Sequence, residues 1–343
     1  MTANALDRYS RQVLLPEIGA TGQERLLASS VAVVGCGALG TNIADGLVRA
    51  GIGKVRIIDR DYIELNNLQR QVLFDEGDIA KGLPKAIAAA EKLRKVNSQV
   101  EVEPIVADVN PDNVERLIGD VDLVLDGTDN FETRLLVNDA CVKHNIPWIY
   151  GAVIRTYGMT MSIVPHQTPC FRCFLPEMPL PGSVPTCDTV GVLGAAASVI
   201  GSLEVAQALK FLTHREEPLQ IRLIYIEVWT GIWEEMQMRK NEAACPACDL
   251  GQYEFLEVRG GHSVTTLCGR DAVQISPREG VAPSFPQLAD RLRAVGEVYY
   301  NDFLLRFRAD GYELTIFPDG RTIVKGTGDE AEAKSVYARY VGL

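Results

Sequence analysis

The stretch from Ser29 to Arg60 constrains the fold more than any other. A run of apolar strand character, Ser30-Val31-Ala32-Val33-Val34, leads into Gly35-Cys36-Gly37-Ala38-Leu39-Gly40, a helical stretch opening at Leu39, and a second apolar strand ending at Asp59. The glycines let the backbone turn tightly and approach a phosphate, while the helix start offers unpaired N–H groups and a positive dipole end. Asp59 follows Gly40 by 19 residues and lies where a ribose would sit. Taken alone, such a strand, loop, helix and acid point to an NAD-dependent oxidoreductase.

With 343 residues, 47% of them hydrophobic, the chain can bury a large core, and two domains are expected, residues 1–254 and 255–343. The net charge is -11, and residues 255–343 hold 11 basic and 12 acidic residues, so nearly all of the excess lies in the first domain. No basic stripe exists to neutralise phosphates, which argues against nucleic acid or an acidic membrane as partner. Met1 to Gln12 is polar, without the apolar core of an export signal. The longest uncharged run, Thr189 to Leu203, is short for a membrane span and rich in Gly, Ala and Ser, which suits a helix packed closely on a sheet. Eight cysteines without an export signal point to metal or catalytic thiols in a reducing, cytoplasmic setting.

Arg8-Tyr9-Ser10-Arg11-Gln12 precedes a short amphipathic helix ending near Leu27, and an arginine in such an arm reads first as a solvated charge. Beyond Asp59, the polar segment Asp61 to Gln71, with Asn66, Asn67 and Arg70, reads as a loop leaving the sheet edge beside the nucleotide. Gly82-Leu83-Pro84-Lys85 starts a helix of good formers, with proline in its first turn. Lys85 there opposes the helix dipole, so either an anion lies nearby or the side chain reaches water. Val121 to Asp126 is a buried strand leading to Gly127-Thr128-Asp129-Asn130. In a doubly wound sheet that turn faces the ligand, so Asp126 or Asp129 is a candidate metal ligand, while Asp129 or Asn130 is equally a cap for the helix Phe131 to His144.

Cys170-Phe171-Arg172-Cys173 is matched by Cys245-Pro246-Ala247-Cys248. Two such pairs in a reducing compartment predict a tetrathiolate zinc site, and a redox pair is disfavoured because neither is expected to open a helix. Cys187, in a Pro/Gly-rich loop ahead of the helix Gly194 to Leu212, is a candidate nucleophile or a packing residue; Cys36, Cys141 and Cys268 read as packing residues. His144, His166, His214 and His262 show no ligand spacing. After Cys248 the pattern becomes short strands and turns. Val264 to Ile275 is expected to pair with Glu297 to Phe307, Pro318-Asp319-Gly320 to close a hairpin, and Phe285 to Val295 and Asp329 to Tyr340 to be helical. The expected fold class is therefore α/β, a doubly wound, mostly parallel Rossmann-like sheet with a small C-terminal α+β appendix.

The RYSRQ arm, Gly35 to Gly40, Asp59-Arg60-Asp61, Asn66 to Gln71, Gly82 to Lys85, Asp126 to Asn130 and the cysteine pairs together resemble the ThiF/MoeB/HesA family, bacterial relatives of ubiquitin-activating enzymes. The appendix, through Leu267 to Ile275 and Phe317 to Arg321, looks like the tail of Bacillus-type thiamine-pathway members. The resemblance implies an adenylyltransferase that uses ATP and Mg²⁺ to activate the Gly-Gly carboxylate of a ubiquitin-like sulfur carrier, in thiazole biosynthesis. Molybdopterin-synthase small subunit is the alternative substrate, and a noncatalytic nucleotide-sensing scaffold the rival of another class. On that resemblance Gly35, Gly37, Ala38, Gly40, Asp59, Asp61 and Asn130 line the nucleotide; Asn67, Arg70 and Lys85 contact phosphates; and Asp129 binds Mg²⁺. Arg11 reaches the ATP of a homodimer partner, and Cys187 takes the acyl group or sulfur from a separate donor. Ala38 stands where relatives often carry glycine, and both are small enough for phosphate approach.

Overall fold

The computed structural model describes residues 6–180, 184–214, 222–240, 244–257, 264–267, 271–276 and 283–342, and they divide into two compact units, Met1–Arg259 and Gly260–Leu343. Cys268 and His262 lie outside the described residues. A boundary after residue 254 would cut into the short helix Glu254–Glu257, whose Phe255 and Leu256 pack on the core of the first unit.

The first unit is built on one eight-stranded sheet. Its strands are β1 (Ser30–Val34), β2 (Lys54–Asp59), β3 (Glu101–Val106), β4 (Leu123–Asp126), β5 (Trp148–Ile154), β6 (Tyr157–Ile163), β7 (Arg222–Glu227) and β8 (Ile232–Gln237), in the order β3-β2-β1-β4-β5-β6-β7-β8. The pairings from β3 to β5 are parallel and those from β5 to β8 antiparallel. Helices cover both faces of the parallel part, which is why β1 and β4 carry apolar residues without alternation: Val31, Val33, Val124 and Leu125 are all fully buried. On one face, helix Gly194–Thr213 packs on helix Ala38–Ala50, β5 and β6; on the other, helix Phe131–Lys143 packs with helices Val114–Ile118 and Glu254–Glu257. Strand order reverses between β1 and β4, and ligands of such sheets bind at that switch point, beyond the strands' carboxyl ends.

Helix Gly194–Thr213 is the one described helix long and apolar enough to cross a membrane, with mean hydropathy 1.3. Its small residues serve close packing instead. A Cβ on Gly201 would stand 2.9 Å from Asn42, and one on Gly158 of β6 would stand 2.5 Å from Ile200. The segment before it departs from the expected continuous loop, since Cys187–Val190 forms a helical turn of its own.

The second unit is a six-stranded antiparallel sheet of β9 (Val264–Leu267), β10 (Ala272–Ile275), β11 (Glu297–Tyr300), β12 (Leu305–Ala309), β13 (Tyr312–Ile316) and β14 (Thr322–Lys325), in the order β11-β12-β13-β14-β10-β9. The expected pairing of 264–275 with 297–307 does not form. Each of those stretches folds back on itself, β9 on β10 and β11 on β12, and β10 then pairs with β14. Strand patterning fixes which side chains face the core but not which neighbour supplies the hydrogen bonds. The β13–β14 hairpin closes at Pro318-Asp319-Gly320 as read, with Gly320 in the left-handed region at φ 84°. Helices Phe285–Leu292 and Glu330–Tyr340 join Phe307, Leu314 and Val324 in its core.

Candidate functional site

Three glycines cross at the switch point. Gly35 leaves β1 with φ 91°, and a Cβ on Gly127, just past β4, would stand 2.3 Å from the Gly35 carbonyl and 2.9 Å from the Gly40 Cα. A Cβ on Gly40 would lie only 1.9 Å from the same carbonyl. The loop after β1 and the turn after β4 therefore interlock backbone to backbone. Gly37 behaves differently: a Cβ there meets nothing closer than 3.9 Å, and Ala38 beside it is half-exposed, so this part of the loop is open to a ligand. Helix Ala38–Ala50 starts there with no side-chain cap, leaving first-turn amides for an anion.

Asp59 ties the loop to the next strand. Its carboxylate accepts from the Cys36 amide at 2.6 Å and the Asp61 amide at 2.7 Å. Burial raises the Asp59 pKa while Lys85 opposes that shift. Lys85 is buried, and its ammonium lies 3.1 Å from Asp61. The backbone makes that meeting, because the Lys85 amide donates to the Asp61 carbonyl at 2.9 Å and Tyr62 bridges to Pro84. The anion expected near this first-turn lysine is thus, within the chain, Asp61.

Asn67 is buried and shapes its own loop, accepting from the Glu64 amide at 3.1 Å and donating to Asn66 at 2.8 Å. Arg70 is half-exposed and donates to the Asn66 carbonyl. Gly194 admits this loop against the start of helix Gly194–Thr213, where a Cβ would meet the Gln69 carbonyl at 3.0 Å. Of the two acids after β4, Asp126 is committed to structure: it is buried, 2.8 Å from the Arg134 guanidinium, and accepts from the Thr128 amide and hydroxyl. Asp129 is exposed at the turn, and Asn130 caps helix Phe131–Lys143 by accepting from the Thr133 amide at 2.8 Å.

Cys187 is half-buried beside the Val153 carbonyl at 3.5 Å, near the carboxyl end of β5 and so on the same sheet edge as Asp59 and Asp129. Hydrogen bonds from the Arg155 amide to Gly191 and from the Leu193 amide to Arg155 strap its segment to the β5–β6 hairpin. Burial pushes the Cys36 and Cys141 thiols far up, in keeping with packing roles. Arg11 is exposed.

Sequence reasoning gave no role to Arg134, Arg60 or Glu204. Arg134 is buried and joins Asp126 to the Thr128 carbonyl at 2.7 Å and the Gly151 carbonyl at 3.0 Å, bracing the turn that carries Asp129. Arg60 pairs with Asp108 at 2.8 Å across the ends of β2 and β3. Glu204 is fully buried with neither carboxylate oxygen hydrogen-bonded, and it fills the space a side chain at Gly151 would need, 1.9 Å from such a Cβ. A charged residue just outside an apolar run was the only signal for it.

The four cysteines of the two pairs come together, buried, with all Sγ atoms within 4.8 Å of one another. Separations of 3.6 Å (Cys170–Cys245), 3.6 Å (Cys173–Cys248) and 4.0 Å (Cys170–Cys173) match the roughly 3.8 Å edge of a zinc tetrathiolate with Zn–S bonds of about 2.3 Å. Contrary to expectation Cys170 does open a helical turn, Phe171–Phe174; its Phe171 amide is taken by Asn138 at 2.8 Å, fixing the turn as a structural corner. Phe171 packs edge-on to Trp148, 5.8 Å between centroids. Because Ile163, where β6 ends, is paired with Trp148, where β5 begins, the cluster lies off the amino ends of the parallel strands. The nucleotide loops lie off the opposite ends.

Strand order reverses where the glycine loop and the acid–lysine pair meet, the topology of a nucleotide-binding α/β enzyme domain, and the four buried cysteines at its other end have the spacing to hold a metal ion. The ThiF family signature matches residues 9–247, and the chain belongs to the ThiF family. It is 43% identical over 338 residues to the sulfur carrier protein ThiS adenylyltransferase of Bacillus subtilis, covering 98% of this chain and 99% of the relative. It is 40% identical over 257 residues to the SAMP-activating enzyme E1 of Haloferax volcanii, covering 75% of this chain and 94% of that protein. Among solved structures, Escherichia coli MccB with succinimide superposes with a TM-score of 0.61 at 27% identity, over 71% of this chain and 74% of that one.

Proposed function

We propose that the protein is an ATP-dependent adenylyltransferase that activates the C-terminal carboxylate of a ThiS-like sulfur carrier for thiocarboxylate formation in the thiazole branch of thiamine biosynthesis. One observation carries the choice of carrier: similarity to the ThiS adenylyltransferase runs through 98% of the chain, the second unit included, whereas the match to the archaeal enzyme covers 75%. Family membership displaces the oxidoreductase reading. Activation of a molybdopterin-synthase-like small subunit remains the same chemistry on another carrier. A soluble cytoplasmic enzyme fits the reducing setting in which the seven described cysteines stay free thiols.

In this reading the open side of the Gly35–Gly40 loop and the first amides of helix Ala38–Ala50 take ATP phosphates, and Asp59 faces the ribose. Lys85 and Arg70 would neutralise phosphate charge, and Asp129, exposed at the turn after β4, would take Mg²⁺. The carrier carboxylate is ionised at neutral pH and attacks the α-phosphorus directly; the bond to pyrophosphate breaks as the acyl–phosphate bond forms. No general base is needed, so catalysis is alignment and charge neutralisation on the leaving group. Zinc, held by Cys170, Cys173, Cys245 and Cys248, supplies a fold constraint at the far sheet edge.

Arg11 serves the partner's site in a homodimer. The arm that carries it is fixed at the carboxyl end of helix Ala38–Ala50, where Gln12 donates to the Ala50 carbonyl at 3.0 Å. The phosphate loop is at the other end of that helix, about 20 Å away at 1.5 Å per residue. Leu14 and Leu15, 71% and 49% exposed beside Arg11, give the arm an apolar face suited to a second copy. Pyrophosphate exchange into ATP, measured with a panel of purified Gly-Gly carriers, tests the function. Exchange dependent on a ThiS-type carrier is expected, and exchange with none would overturn it.

A further inference from the structure

Arg11 sits between two anchored residues. Tyr9 is 3% exposed, and its hydroxyl accepts from the Asn97 amide at 2.8 Å. Asn97 is itself fully buried and also donates to the Val48 carbonyl at 3.0 Å. The Tyr9 ring lies on Gly51, the left-handed residue (φ 83°) that caps helix Ala38–Ala50; a Cβ there would stand 2.5 Å from the ring. On the other side of Arg11, Gln12 donates to the Ala50 carbonyl at 3.0 Å and to Gln23 at 2.6 Å, while Gln23 donates to the same carbonyl. Arg8 donates to the Val96 carbonyl at 3.0 Å. Ser10 and Arg11 between them are exposed.

The arm's own turns, Asp7–Tyr9 and Ser10–Val13, are far too short to hold a helical shape alone. Their geometry is borrowed from two helix ends, and the deepest point of attachment is Tyr9. We propose that Tyr9, seated on Gly51 and hydrogen-bonded to Asn97, is a positioning residue that presents Arg11 to the nucleotide of the partner subunit. The inference rests on the assignment of Arg11 to the partner's site. Without the anchor the arm samples many conformations, and a charge that must meet a transferring phosphoryl group is no longer held in place. Tyr9 would then act on a site its own chain does not contain.

Mixed dimers separate this role from a structural one. Tyr9→Phe, which keeps the ring but removes the hydroxyl that accepts from Asn97, and Tyr9→Ala should lower carrier-dependent pyrophosphate exchange, the latter by about tenfold or more, through kcat rather than the KM for ATP. A Tyr9→Ala chain has an intact pocket and a loose arm; a Lys85→Ala chain has a firm arm and a dead pocket. After subunit exchange the pair should recover toward roughly a quarter of wild-type activity, since half of the dimers carry one complete site. Tyr9→Ala mixed with Arg11→Ala should gain nothing. Recovery in the first mixture and none in the second supports the proposal. Wild-type exchange by Tyr9→Ala overturns it. So does a Tyr9→Ala/Lys85→Ala mixture that stays inactive while Arg11→Ala/Lys85→Ala recovers, because Tyr9 would then be supporting its own chain's pocket. If Arg11→Ala/Lys85→Ala also stays inactive despite exchange, the assignment of Arg11 to the partner falls, and this inference with it. Should Tyr9→Ala not fold, Tyr9→Phe and Gln12→Ala carry the same mixtures.

Discussion

Buried Lys85 and half-buried Asp61 form an ion pair, 3.1 Å from ammonium to carboxylate, at the entrance to a helix whose dipole would otherwise repel the lysine. The pair keeps the charge extended and ordered before any phosphate arrives, so no side-chain entropy is lost at the moment of reaction. Lys85→Ala should lower carrier-dependent pyrophosphate exchange by about 100- to 1,000-fold, as removal of one charge-stabilising donor does elsewhere. Lys85→Arg should not restore it, because a planar guanidinium cannot take the place of a compact ammonium between Asp61 and phosphate. Exchange assays on folded variants check both.

Gly40→Ala should fold poorly and Gly37→Ala should fold well. The added methyl at Gly40 meets the Gly35 carbonyl at 1.9 Å, and neither loop can yield without parting β1 from β4, so a loss of about 3 kcal/mol, at the upper end of overpacking, is expected. At Gly37 the methyl makes only an ordinary contact, 3.9 Å from the Gly127 carbonyl, and should instead weaken ATP binding. Urea denaturation and ATP titration read the two effects separately.

One zinc per chain is expected by metal analysis of freshly purified protein, and Cys245→Ser or chelation should remove it. Loss of a structural tetrathiolate should lower the melting temperature by about 10 °C or more. Since the cluster lies off the opposite sheet edge from the nucleotide loops, exchange per folded molecule at low temperature should change far less than stability does.

Glu204→Gln should stabilise the protein, and more so at pH 8 than at pH 5. Burial holds the Glu204 carboxyl well above the usual carboxylate range, Asp126 reinforcing and Arg134 opposing the shift. The native state therefore keeps a proton that the unfolded chain releases. Stability from that proton is complete below the ordinary glutamate pKa and declines as pH rises toward the raised native value. Glutamine has no proton to lose, so the variant's melting temperature should show a flatter decline over that window in scans at stepped pH.

Cys187→Ala should retain pyrophosphate exchange near wild type but lose carrier thiocarboxylate when a sulfur donor is present, since the thiol sits beside the Val153 carbonyl in a strapped segment separate from the phosphate loop. Survival of both activities, with thermal stability measured alongside, would make it a packing residue.

The local chemistry of this chain was legible in its residues. Glycine spacing, the acid ending β2, Pro84 ahead of Lys85 and the two Cys-x-x-Cys turns are set within a few residues, so the loop, the helix starts and the tetrathiolate could be read directly. Tertiary structure alone decided the relations between distant segments. It put Gly127 against Gly35 and Gly40, gave Lys85 the carboxylate of Asp61, buried Asp126 on Arg134 so that Asp129 is the acid left exposed, and seated Tyr9 on Gly51. It also turned 264–275 back on itself instead of onto 297–307. The reason is the same throughout: turn chemistry and residue periodicity act over a few positions, whereas strand order and helix packing choose partners through burial and hydrogen bonding that no short segment encodes by itself.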